Sequence, residues 1–435
     1  MTTSLIRAVQ CFPDLHQSNL DLDGLSPLDL DLAVAIHRTT LQRWLTLEYL
    51  LDRVLDQPMS SLEPALRAVL LAGAAQLVFL NRLPRYAVVD ESVHLARQLV
   101  RPGAAALSNA VLRRIARLVR RVEPGRRWTP GLDRLPLESG SLVLTEPVLP
   151  DPDKFEIHLS IAASMPVAVI RRWQERFGLI SAADLTLHAM QNPPTILALE
   201  PGLDRPASDC DSWICHEQPG FVVWKGQQDA LRAFLHRHPT RRVQDPASTI
   251  AIAACHQLRP RRILDYCAGL GTKTRQLATT FDRAEIFATD INPQRRWALR
   301  AVHRAHPNVR VCAPQALSDG QRFDLLVLDV PCSNSAVLAR RPEARYRLSA
   351  RSVRKMVRLQ QQIILKTVPL VRPGGWLLYV TCSLEEQENA QQARNLVSHV
   401  GGRLCAEQQT IPGGRGRGYH DGSYFALIQM PDQSV

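Results

Sequence analysis

The sequence lacks any run of apolar residues that approaches the about 18 needed for a membrane-spanning helix. Residues 1–32 also lack a basic stretch followed by an apolar one, and four aspartates make this segment acidic: Asp21, Asp23, Asp29 and Asp31. We therefore expect neither a secretory nor a transit signal. The nine cysteines are an odd number spread from Cys11 to Cys405 of a 435-residue chain, which does not fit a disulfide framework. The prediction is a cytoplasmic protein with reduced thiols.

Two common site patterns are also incomplete. Cys210, Cys215 and His216 lie close together in the sequence, but no second pair of ligands follows, so no metal site is predicted. The spacing Gly-x-x-x-x-Gly-Lys of the phosphate-binding loop is absent from the segment around Gly269 and Gly271. A metal centre and a phosphate-binding loop are therefore not expected.

Positive charge is in excess. Lysine and arginine number 53 against 41 aspartates and glutamates, which gives a formal net charge of +12. A basic chain of this kind favours a polyanionic partner, nucleic acid above all, although basic proteins with other partners are common. The hydrophobic share of 45% is that of a globular protein, and the length allows two to three domains.

The first part of the chain, from Pro27 to about Val122, has helical periodicity. One apolar stripe after the turn at residues 59–61 shows the spacing of a buried helix face: Leu66, Val69, Leu70, Gly73 and Leu77. A last helix is predicted from Ser108 onward and carries a row of arginines: Arg113, Arg114, Arg117, Arg120 and Arg121. Such a row fits a phosphate backbone, and a solvated helix face explains the spacing equally well. We predict an all-α domain over residues 1–123.

The middle of the chain contains a linker and a small module. Prolines interrupt any periodicity between residues 124 and 157, which predicts a linker. Residues 158–242 combine two helices, near 167–177 and 182–190, with short strands near 195–199 and 221–224. This pattern predicts a small α/β module of the RNA-recognition-motif kind.

From residue 243 to 435, helical segments alternate with short β-branched and apolar runs. The runs are Ile263-Leu264, residues 285–289, residues 325–328 and residues 376–380. This alternation predicts a Rossmann-like doubly wound parallel sheet. Two of the runs are followed by related tripeptides, Pro331-Cys332-Ser333 and Thr381-Cys382-Ser383. Ligands bind at the carboxyl ends of such strands, so two thiols there indicate a cysteine-dependent enzyme, although buried cysteines can also be structural.

The first strand of this sheet leads into a glycine-containing turn. Gly269 and Gly271 allow the backbone to turn tightly at the start of the next helix. Asp290 ends the following strand about twenty residues later, where a carboxylate can hold ribose hydroxyls. Because no third glycine completes a dinucleotide fingerprint, a mononucleoside cofactor such as S-adenosyl-L-methionine is predicted.

These residues together resemble a known family. The segments that carry the resemblance are residues 243–248, Asp265 to Thr274, Asp290, Asp329 to Ser333, residues 340–342, Tyr379 to Ser383, Glu388-Asn389 and residues 421–425. They resemble the motifs of RNA cytosine-5 methyltransferases. Residues 71–80, 83–91 and 108–114 resemble a NusB-type RNA-binding domain, and the combination is similar to bacterial 16S ribosomal RNA cytosine-5 methyltransferases of the Sun/Fmu type.

The resemblance implies roles for individual residues. It assigns the S-adenosyl-L-methionine site to Cys267, Ala268, Gly269, Leu270, Gly271, Thr272, Lys273, Asp290 and Asp329. It implies that Cys382 is the nucleophile that adds to C6 of cytosine and that Cys332 helps to release the product. Asp329 would contact the N3 and N4 edge of the base, and Lys273 could stabilise the thiolate of Cys382. Ribosomal RNA is the expected partner, and no obligate protein partner is evident.

The chain also departs from the family pattern. Thr272 stands before Lys273 in place of a glycine, Asn334 follows the Pro-Cys-Ser tripeptide where a glycine-rich turn is usual, and residues 311–315 lack the acid expected beside the adenine. These departures leave open an alternative, a catalytically weakened RNA-binding or ribosome-assembly factor. A DNA cytosine methyltransferase, in which the Pro-Cys thiol is the nucleophile, is disfavoured by the second tripeptide and by the all-α domain over residues 1–123.

Overall fold

A computed structural model describes residues 1–15, 26–80, 82–125, 127–199, 211–238, 240–317 and 320–432. The α-helices are α1 (Thr2–Cys11), α2 (Pro27–Gln42), α3 (Trp44–Val54), α4 (Pro64–Phe79), α5 (Arg85–Leu99), α6 (Pro102–Leu118), α7 (Phe155–Ala163), α8 (Val167–Phe177), α9 (Leu179–His188), α10 (Gln228–Arg237), α11 (Pro246–Ala253), α12 (Thr272–Thr280), α13 (Pro293–Ala305), α14 (Ala344–Arg347), α15 (Ala350–Thr367) and α16 (Ala390–Val400). Short 3-10 helices cover Met59–Ser61, Pro314–Ala316, Val368–Leu370, Glu386–Glu388 and Gly416–Gly418.

The β-strands form three sheets. They are β1 (Val119–Glu123), β2 (Arg134–Pro136), β3 (Ser141–Leu144), β4 (Ile196–Ala198), β5 (Trp213–Cys215), β6 (Phe221–Trp224), β7 (Arg242–Val243), β8 (Arg262–Asp265), β9 (Glu285–Ala288), β10 (Val309–Val311), β11 (Phe323–Asp329), β12 (Val371–Thr381), β13 (Arg403–Thr410) and β14 (Ser423–Gln429). In the part of the chain that the structure describes, no helix is long and apolar enough to span a membrane.

Packing divides the chain into two compact units. Unit 1 comprises residues 1–192 and 338–349, and unit 2 comprises residues 193–337 and 350–435. The helical front predicted from the sequence lies in unit 1 and the predicted Rossmann-like sheet lies in unit 2, so the predicted multidomain architecture is confirmed. The finer boundaries at residues 123, 157 and 242 stay a prediction.

Unit 1 is built around the apolar face of α4. The predicted stripe on this helix is buried throughout. At Gly73 an added Cβ atom would lie 2.8 Å from Cδ1 of Leu112 on α6 and 2.9 Å from Oγ of Ser92 on α5, so this glycine permits close helix packing. The core of the unit continues beyond the helical front, because Leu135, Leu142 and Ala162 are buried in the same cluster.

The predicted arginine-rich helix needs a correction. Helix α6 begins at Pro102 rather than at Ser108, because a proline is well tolerated in the first turn of a helix. It ends at Leu118, so Arg120 and Arg121 lie on β1. This segment pairs antiparallel with β3, which its β-branched residues Val119 and Val122 favour.

Unit 2 contains a seven-stranded sheet in the order β10-β9-β8-β11-β12-β14-β13. Strands β10, β9, β8, β11 and β12 are parallel, and β14 is antiparallel to both β12 and β13. Each of the four predicted runs lies within or overlaps a parallel strand. A smaller antiparallel sheet in the order β5-β6-β4-β7 packs Leu197 and Val222 against Leu231 and Phe234 of α10.

Candidate functional site

The order of strands in the large sheet reverses between β8 and β11. The chain runs from β8 outward to β9 and β10 on one side, and then returns to β11 and β12 on the other. In open α/β sheets, ligands bind at the carboxyl ends of the strands at such a reversal. The glycine turn follows β8, Asp290 follows β9, Cys332 follows β11 and Cys382 follows β12, so the predicted residues share this edge.

The turn after β8 depends on two glycines with left-handed backbone conformation. Gly269 has φ 58° and Gly271 has φ 85°. A Cβ atom on Gly271 would lie 2.6 Å from Cγ2 of Val302 and 2.8 Å from Cδ2 of Leu299, both on α13. A Cβ atom on Gly269 would meet nothing within 4 Å. Gly271 is therefore needed for helix packing, whereas Gly269 faces open space where a ligand can approach.

Asp290 is buried and holds the glycine turn in place. Its Oδ2 accepts a hydrogen bond of 3.1 Å from the backbone N–H of Gly269, and its Oδ1 accepts one of 2.8 Å from the N–H of Asn292. Arg295 Nη1 lies 3.6 Å from Oδ2. The carboxylate predicted to bind ribose hydroxyls thus also orders the loop that begins α12.

Asp265, at the end of β8, is a site residue to which the sequence analysis gave no role of its own. It is fully buried, and Thr274 Oγ1 donates a hydrogen bond of 2.7 Å to its Oδ2. Its Oδ1 has no hydrogen-bond partner among the described residues. Burial is the main cause that raises the pKa of Asp265 to about 7, and the negative charge of Asp329 adds to the effect. A buried carboxyl with an unused oxygen is suited to receive a hydrogen-bond donor from a ligand.

Lys273 and Asp329 form an ion pair between α12 and the end of β11. Lys273 Nζ lies 2.9 Å from Asp329 Oδ2 and also donates to Ser248 Oγ at 3.3 Å. Burial acts to lower the pKa of Lys273, but the attraction to Asp329 and the hydrogen bond to it leave that pKa raised. The ammonium is therefore charged at neutral pH, and the charge of Cys382 contributes in the same direction.

The two cysteines of the tripeptides are in contact. The Sγ atoms of Cys332 and Cys382 are 3.2 Å apart, and both cysteines are free thiols. Cys332 is buried, while Cys382 is partly exposed. The hydrogen bond to Cys382 and burial raise the pKa of Cys332 well above that of an ordinary cysteine, and the carboxylate of Glu388 adds to this. Cys332 therefore keeps its proton and can donate it in a hydrogen bond to the sulfur of Cys382.

Asn334 explains how this chain replaces the glycine-rich turn of the family pattern. It has φ 60°, a left-handed conformation that asparagine tolerates better than most residues. Its Oδ1 accepts a hydrogen bond of 3.2 Å from the thiol of Cys382, and its Nδ2 donates one of 3.1 Å to the carbonyl of Cys332. One side chain thus connects both cysteine loops.

The buried side chain of Glu388 also connects the two cysteine loops. Glu388 Oε1 accepts hydrogen bonds from the N–H of Ser333 at 2.9 Å and from Gln360 Nε2 at 3.0 Å. Its Oε2 accepts one of 2.6 Å from Ser383 Oγ. Burial raises the pKa of Glu388, and the hydrogen bonds from the two serines counteract part of that shift. In the sequence, Glu388 belongs to a motif in which it has no assigned role, and only the fold brings it into contact with both tripeptides.

The other residues predicted for the cofactor site lie in the turn after β8. Ala268 is buried, Cys267 and Thr272 are half-buried, and Leu270 is 67% exposed. Burial raises the pKa of Cys267, so this thiol is protonated.

After β10, Cys312 donates its N–H to the carbonyl of Ala288, and no acid occurs between Val309 and Leu317.

His216 is occupied by other contacts. Its Nε2 lies 2.9 Å from the carbonyl oxygen of Tyr419, and its Nδ1 accepts a hydrogen bond of 2.9 Å from the N–H of Gln218. Cys210 lies outside the described residues. Both nitrogens of this histidine are therefore accounted for by packing within unit 2.

Comparison with known families identifies both parts of the chain. Residues 255–421 match the family described as 16S rRNA methyltransferase RsmB/F, and residues 9–117 match the NusB family. Residues 255–421 are therefore similar to RsmB/F methyltransferases, and residues 9–117 are similar to NusB-family proteins. The protein is an S-adenosyl-L-methionine-dependent RNA methyltransferase with a NusB-like helical domain in front, as the sequence motifs predict.

Curated relatives match this chain over nearly its full length. The ribosomal RNA small subunit methyltransferase B of Salmonella paratyphi C (strain RKS4594) is 25% identical over 443 residues, which cover 96% of this chain and 92% of the relative. The protein of the same name from Salmonella heidelberg (strain SL476) is 27% identical over 442 residues, with the same coverage. The structure titled "Crystal Structure of PH0851" has a TM-score of 0.70 and 17% identity over 98% of both chains, and it shares the fold.

The residues of the strand edge fit S-adenosyl-L-methionine. The cofactor carries an ammonium group and two ribose hydroxyls, all of which can donate hydrogen bonds. The unpartnered Oδ1 of Asp265 and the carboxylate of Asp290 are acceptors of the right kind. The open face of Gly269 leaves room for a ligand beside them. Asp265, Gly269 and Asp290 are therefore the residues that would hold the cofactor.

Proposed function

We propose that this protein transfers a methyl group from S-adenosyl-L-methionine to C5 of a cytosine in small-subunit ribosomal RNA. The observation that carries the proposal is the contact of two thiols, Cys332 and Cys382, at 3.2 Å between Sγ atoms at the ends of neighbouring parallel strands. Cytosine C5 is a weak nucleophile until a thiolate adds to C6, so an enzyme for this reaction needs a positioned sulfur.

The asymmetry of the pair supports the assignment of roles. Cys332 is buried and retains its proton, whereas Cys382 is partly exposed. The interaction with Cys382 contributes to the raised pKa of Lys273. We assign Cys382 as the nucleophile, since it is the more accessible of the two sulfurs, whereas Cys332 is buried and protonated. Cys332 is assigned to product release.

The reaction then proceeds by addition and elimination. The target base leaves any stack and enters the site. A bond forms between Cys382 Sγ and C6, and the electron pair of the former C5–C6 double bond makes C5 nucleophilic. When bound, the cofactor would supply an electrophilic methyl group for C5 and leave as S-adenosyl-L-homocysteine. The C5 proton then passes to water, the C5–C6 double bond re-forms, and Cys382 departs as a thiolate that accepts a hydrogen bond from the Cys332 thiol. Asp329, whose Oδ2 pairs with Lys273, orients the N3 and N4 edge of the base.

RNA binding is assigned in part to the helical unit. Arg113, Arg114 and Arg117 on α6 and Arg120 on β1 are exposed and offer guanidinium groups for phosphates, whereas Arg121 on β1 is paired with Glu123. The relatives named ribosomal RNA small subunit methyltransferase B support ribosomal RNA as the substrate. A cytoplasmic location fits this substrate and belongs to the proposal.

The direct test is to analyse the methylated product. Small-subunit ribosomal RNA transcripts are incubated with the protein and methyl-labelled S-adenosyl-L-methionine, digested to nucleosides and analysed by mass spectrometry. We expect 5-methylcytidine, located by bisulfite sequencing, and none with Cys382→Ala. A Cys405→Ala variant is the control, because Cys405 is exposed. Methylation at another atom of cytosine would overturn the proposal.

The second candidate is a factor with weakened catalysis that binds RNA without turnover. The absence of an acid between Val309 and Leu317 favours it, since the adenine side of the cofactor lacks that partner. A calorimetric titration with S-adenosyl-L-methionine separates the two candidates. Binding together with 5-methylcytidine formation supports the enzyme, and the absence of both supports the factor.

A further inference from the structure

Asn334 has a backbone conformation that is unfavourable for a residue with a side chain. Its φ of 60° lies in the left-handed region, where glycine is unstrained and a Cβ atom is disfavoured. Among the described residues other than glycine, only Ser164 also has a positive φ. A strained residue inside a candidate site indicates that its side chain has a use there.

Other groups already hold the turn of Asn334 against the loop of Cys382. The N–H of Ala336 donates a hydrogen bond of 3.1 Å to the carbonyl of Cys382. The N–H of Leu384 donates one of 2.8 Å to Oγ of Ser335. Because these contacts join the two loops, the side chain of Asn334 is not needed merely to keep them together.

The contact with Cys332 sets the orientation of the Asn334 amide. Nδ2 donates to the carbonyl of Cys332 at 3.1 Å, and rotation of the amide by half a turn would set two acceptor oxygens against each other. The amide oxygen therefore faces Cys382, with Oδ1 at 3.2 Å from its Sγ. Since an amide oxygen has no proton to donate, this hydrogen bond requires Cys382 in its thiol form.

The sulfur of Cys382 thus lies between a donor and an acceptor. Cys332 keeps its proton and can donate it to Sγ of Cys382 at 3.2 Å, while the proton of Cys382 is directed to Oδ1 of Asn334. Two hydrogen bonds from opposite partners fix the direction of this sulfur. A hydrogen bond that only the neutral form can make also disfavours ionisation.

We propose that Asn334 is a further catalytic residue, whose amide oxygen holds the Cys382 thiol protonated and in a fixed direction in the RNA-free protein. The inference rests on the proposed function, because it concerns the nucleophile of that reaction. Loss of the amide raises the thiolate fraction by at most about tenfold, as one hydrogen bond of ordinary strength allows. A misdirected nucleophile can lose on the order of a hundredfold in rate, so its orientation is the larger effect.

The test measures how fast iodoacetamide alkylates Cys382 in the full chain at neutral pH, without RNA or cofactor. The thiolate displaces iodide and forms a C–S bond, so the rate follows the thiolate fraction. Peptide mass spectrometry measures Cys382 separately, and the exposed Cys405 in the same molecule is the internal reference.

Three variants are compared with wild type. Asn334→Gly removes the side chain and keeps the left-handed backbone without strain. Asn334→Asp has nearly the same shape but places a carboxylate beside the thiol. Gln257→Glu is the control for added charge, because Gln257 is exposed and precedes the amino end of β8.

We expect Cys382 to react fastest in Asn334→Gly, more slowly in wild type and most slowly in Asn334→Asp, with about two- to tenfold between successive proteins. The negative charge of the aspartate disfavours a thiolate beside it. Gln257→Glu should react like wild type. In the methylation assay, Asn334→Gly should lower kcat by about tenfold or more with little change in KM, although its thiolate fraction is higher.

Equal alkylation of Cys382 in wild type and both Asn334 variants would overturn the proposal, and so would an unchanged kcat for Asn334→Gly. Slower alkylation together with a lower Tm for Asn334→Gly would also overturn it, since a side chain that only braces the loops gives that result. If the order of alkylation rates held but wild type formed no 5-methylcytidine, the proposed function would fail while the effect of Asn334 on the thiol would stand.

Discussion

The carboxylate of Asp290 orders the glycine turn that we propose binds the cofactor. It accepts hydrogen bonds from the backbone of Gly269 and Asn292 and is buried. We predict that Asp290→Ala weakens the binding of S-adenosyl-L-methionine by about tenfold or more, because a hydrogen bond to a charged group contributes about 1.5–3 kcal/mol. Calorimetry measures the dissociation constant, and Asp282→Ala, at an exposed position, is the control. Equal constants for Asp290→Ala and wild type would show that Asp290 is not part of the cofactor site.

The carboxylate of Glu388 holds the two cysteine loops together. Glu388→Ala removes the acceptor of the Ser333 N–H and one acceptor each of Gln360 Nε2 and Ser383 Oγ, and we expect it to lower the free energy of unfolding by about 2 kcal/mol or more. Glu388→Gln should cost less, because its amide oxygen can still accept from Ser333 and Gln360 while its nitrogen donates to Ser383. Thermal unfolding of both variants shows which of them loses more stability. Equal losses would mean that the site is sensitive only to the charge.

The buried Glu388 also makes stability depend on pH. Its pKa is raised in the folded protein, so the folded state binds the proton more tightly than the unfolded state does. The stability of wild type relative to Glu388→Gln should therefore fall as the pH rises through the ordinary range of a glutamate up to the folded-state pKa, and then stay level. Apparent Tm values of the two proteins between pH 4 and pH 8 measure this difference. A difference that grows with pH would contradict the assignment.

At the scale of elements, the packing of α12 on α13 depends on Gly271. An alanine there places its Cβ within 2.6 Å of Val302 Cγ2, in a left-handed backbone conformation. Overpacking costs about 1–3 kcal/mol and the left-handed conformation about 1–2 kcal/mol more. Gly269→Ala is the matched control, because it has the backbone strain without the clash. We predict a clearly larger drop in Tm for Gly271→Ala than for Gly269→Ala. Similar drops would show that α13 shifts to make room for the added Cβ atom at little cost.

Strands with strong local signals were predictable, whereas element ends were not. The apolar runs that became β8, β11 and β12 are buried on both faces, so their composition alone indicates parallel strands. The end of α6 is different. Arg120 and Arg121 continue the helical spacing, but pairing of Val119 and Val122 with β3 takes them into a strand. That pairing depends on residues 141–144, about twenty positions away, so the local periodicity of residues 108–123 does not indicate it.

The same distinction applies to the site. Cys332, Cys382 and Asp290 were predictable because each directly follows a recognisable strand, and parallel strands end at one edge of a sheet. Asn334 and the hydrogen bond from Ser333 to Glu388 were not, since they arise only when two loops about fifty residues apart are brought together. Such contacts are long-range, and no local pattern encodes them.

At the scale of the whole molecule, a short segment from the second half of the chain completes the core of unit 1. Arg345 is fully buried there and donates to the carbonyls of Gln42 and Ser164 at 3.2 Å and of Ala189 at 2.7 Å. Burial lowers the pKa of this guanidinium. The sequence pattern gave no sign of this role, because a lone arginine is ordinarily a surface residue.

We predict that Arg345→Ala lowers the free energy of unfolding by about 3 kcal/mol or more, because three buried carbonyls lose a charged donor. Thermal unfolding followed by circular dichroism measures the effect. Arg101→Ala is the control within the same unit, since its ion pair with Glu63 is exposed and should contribute little. A Tm for Arg345→Ala as high as that of Arg101→Ala would show that water replaces the lost contacts.

The central claim, that the two thiols divide one covalent reaction between them, is tested most directly by trapping the protein–RNA adduct. Each variant is incubated with S-adenosyl-L-methionine and small-subunit ribosomal RNA, and the adduct is detected on a denaturing gel. Cys332→Ala should accumulate an adduct, because addition and methylation proceed while release stalls. Cys382→Ala should form no adduct and no 5-methylcytidine, because nothing adds to C6. An adduct with Cys382→Ala but not with Cys332→Ala would reverse the roles, and full methylation by both variants would contradict the account.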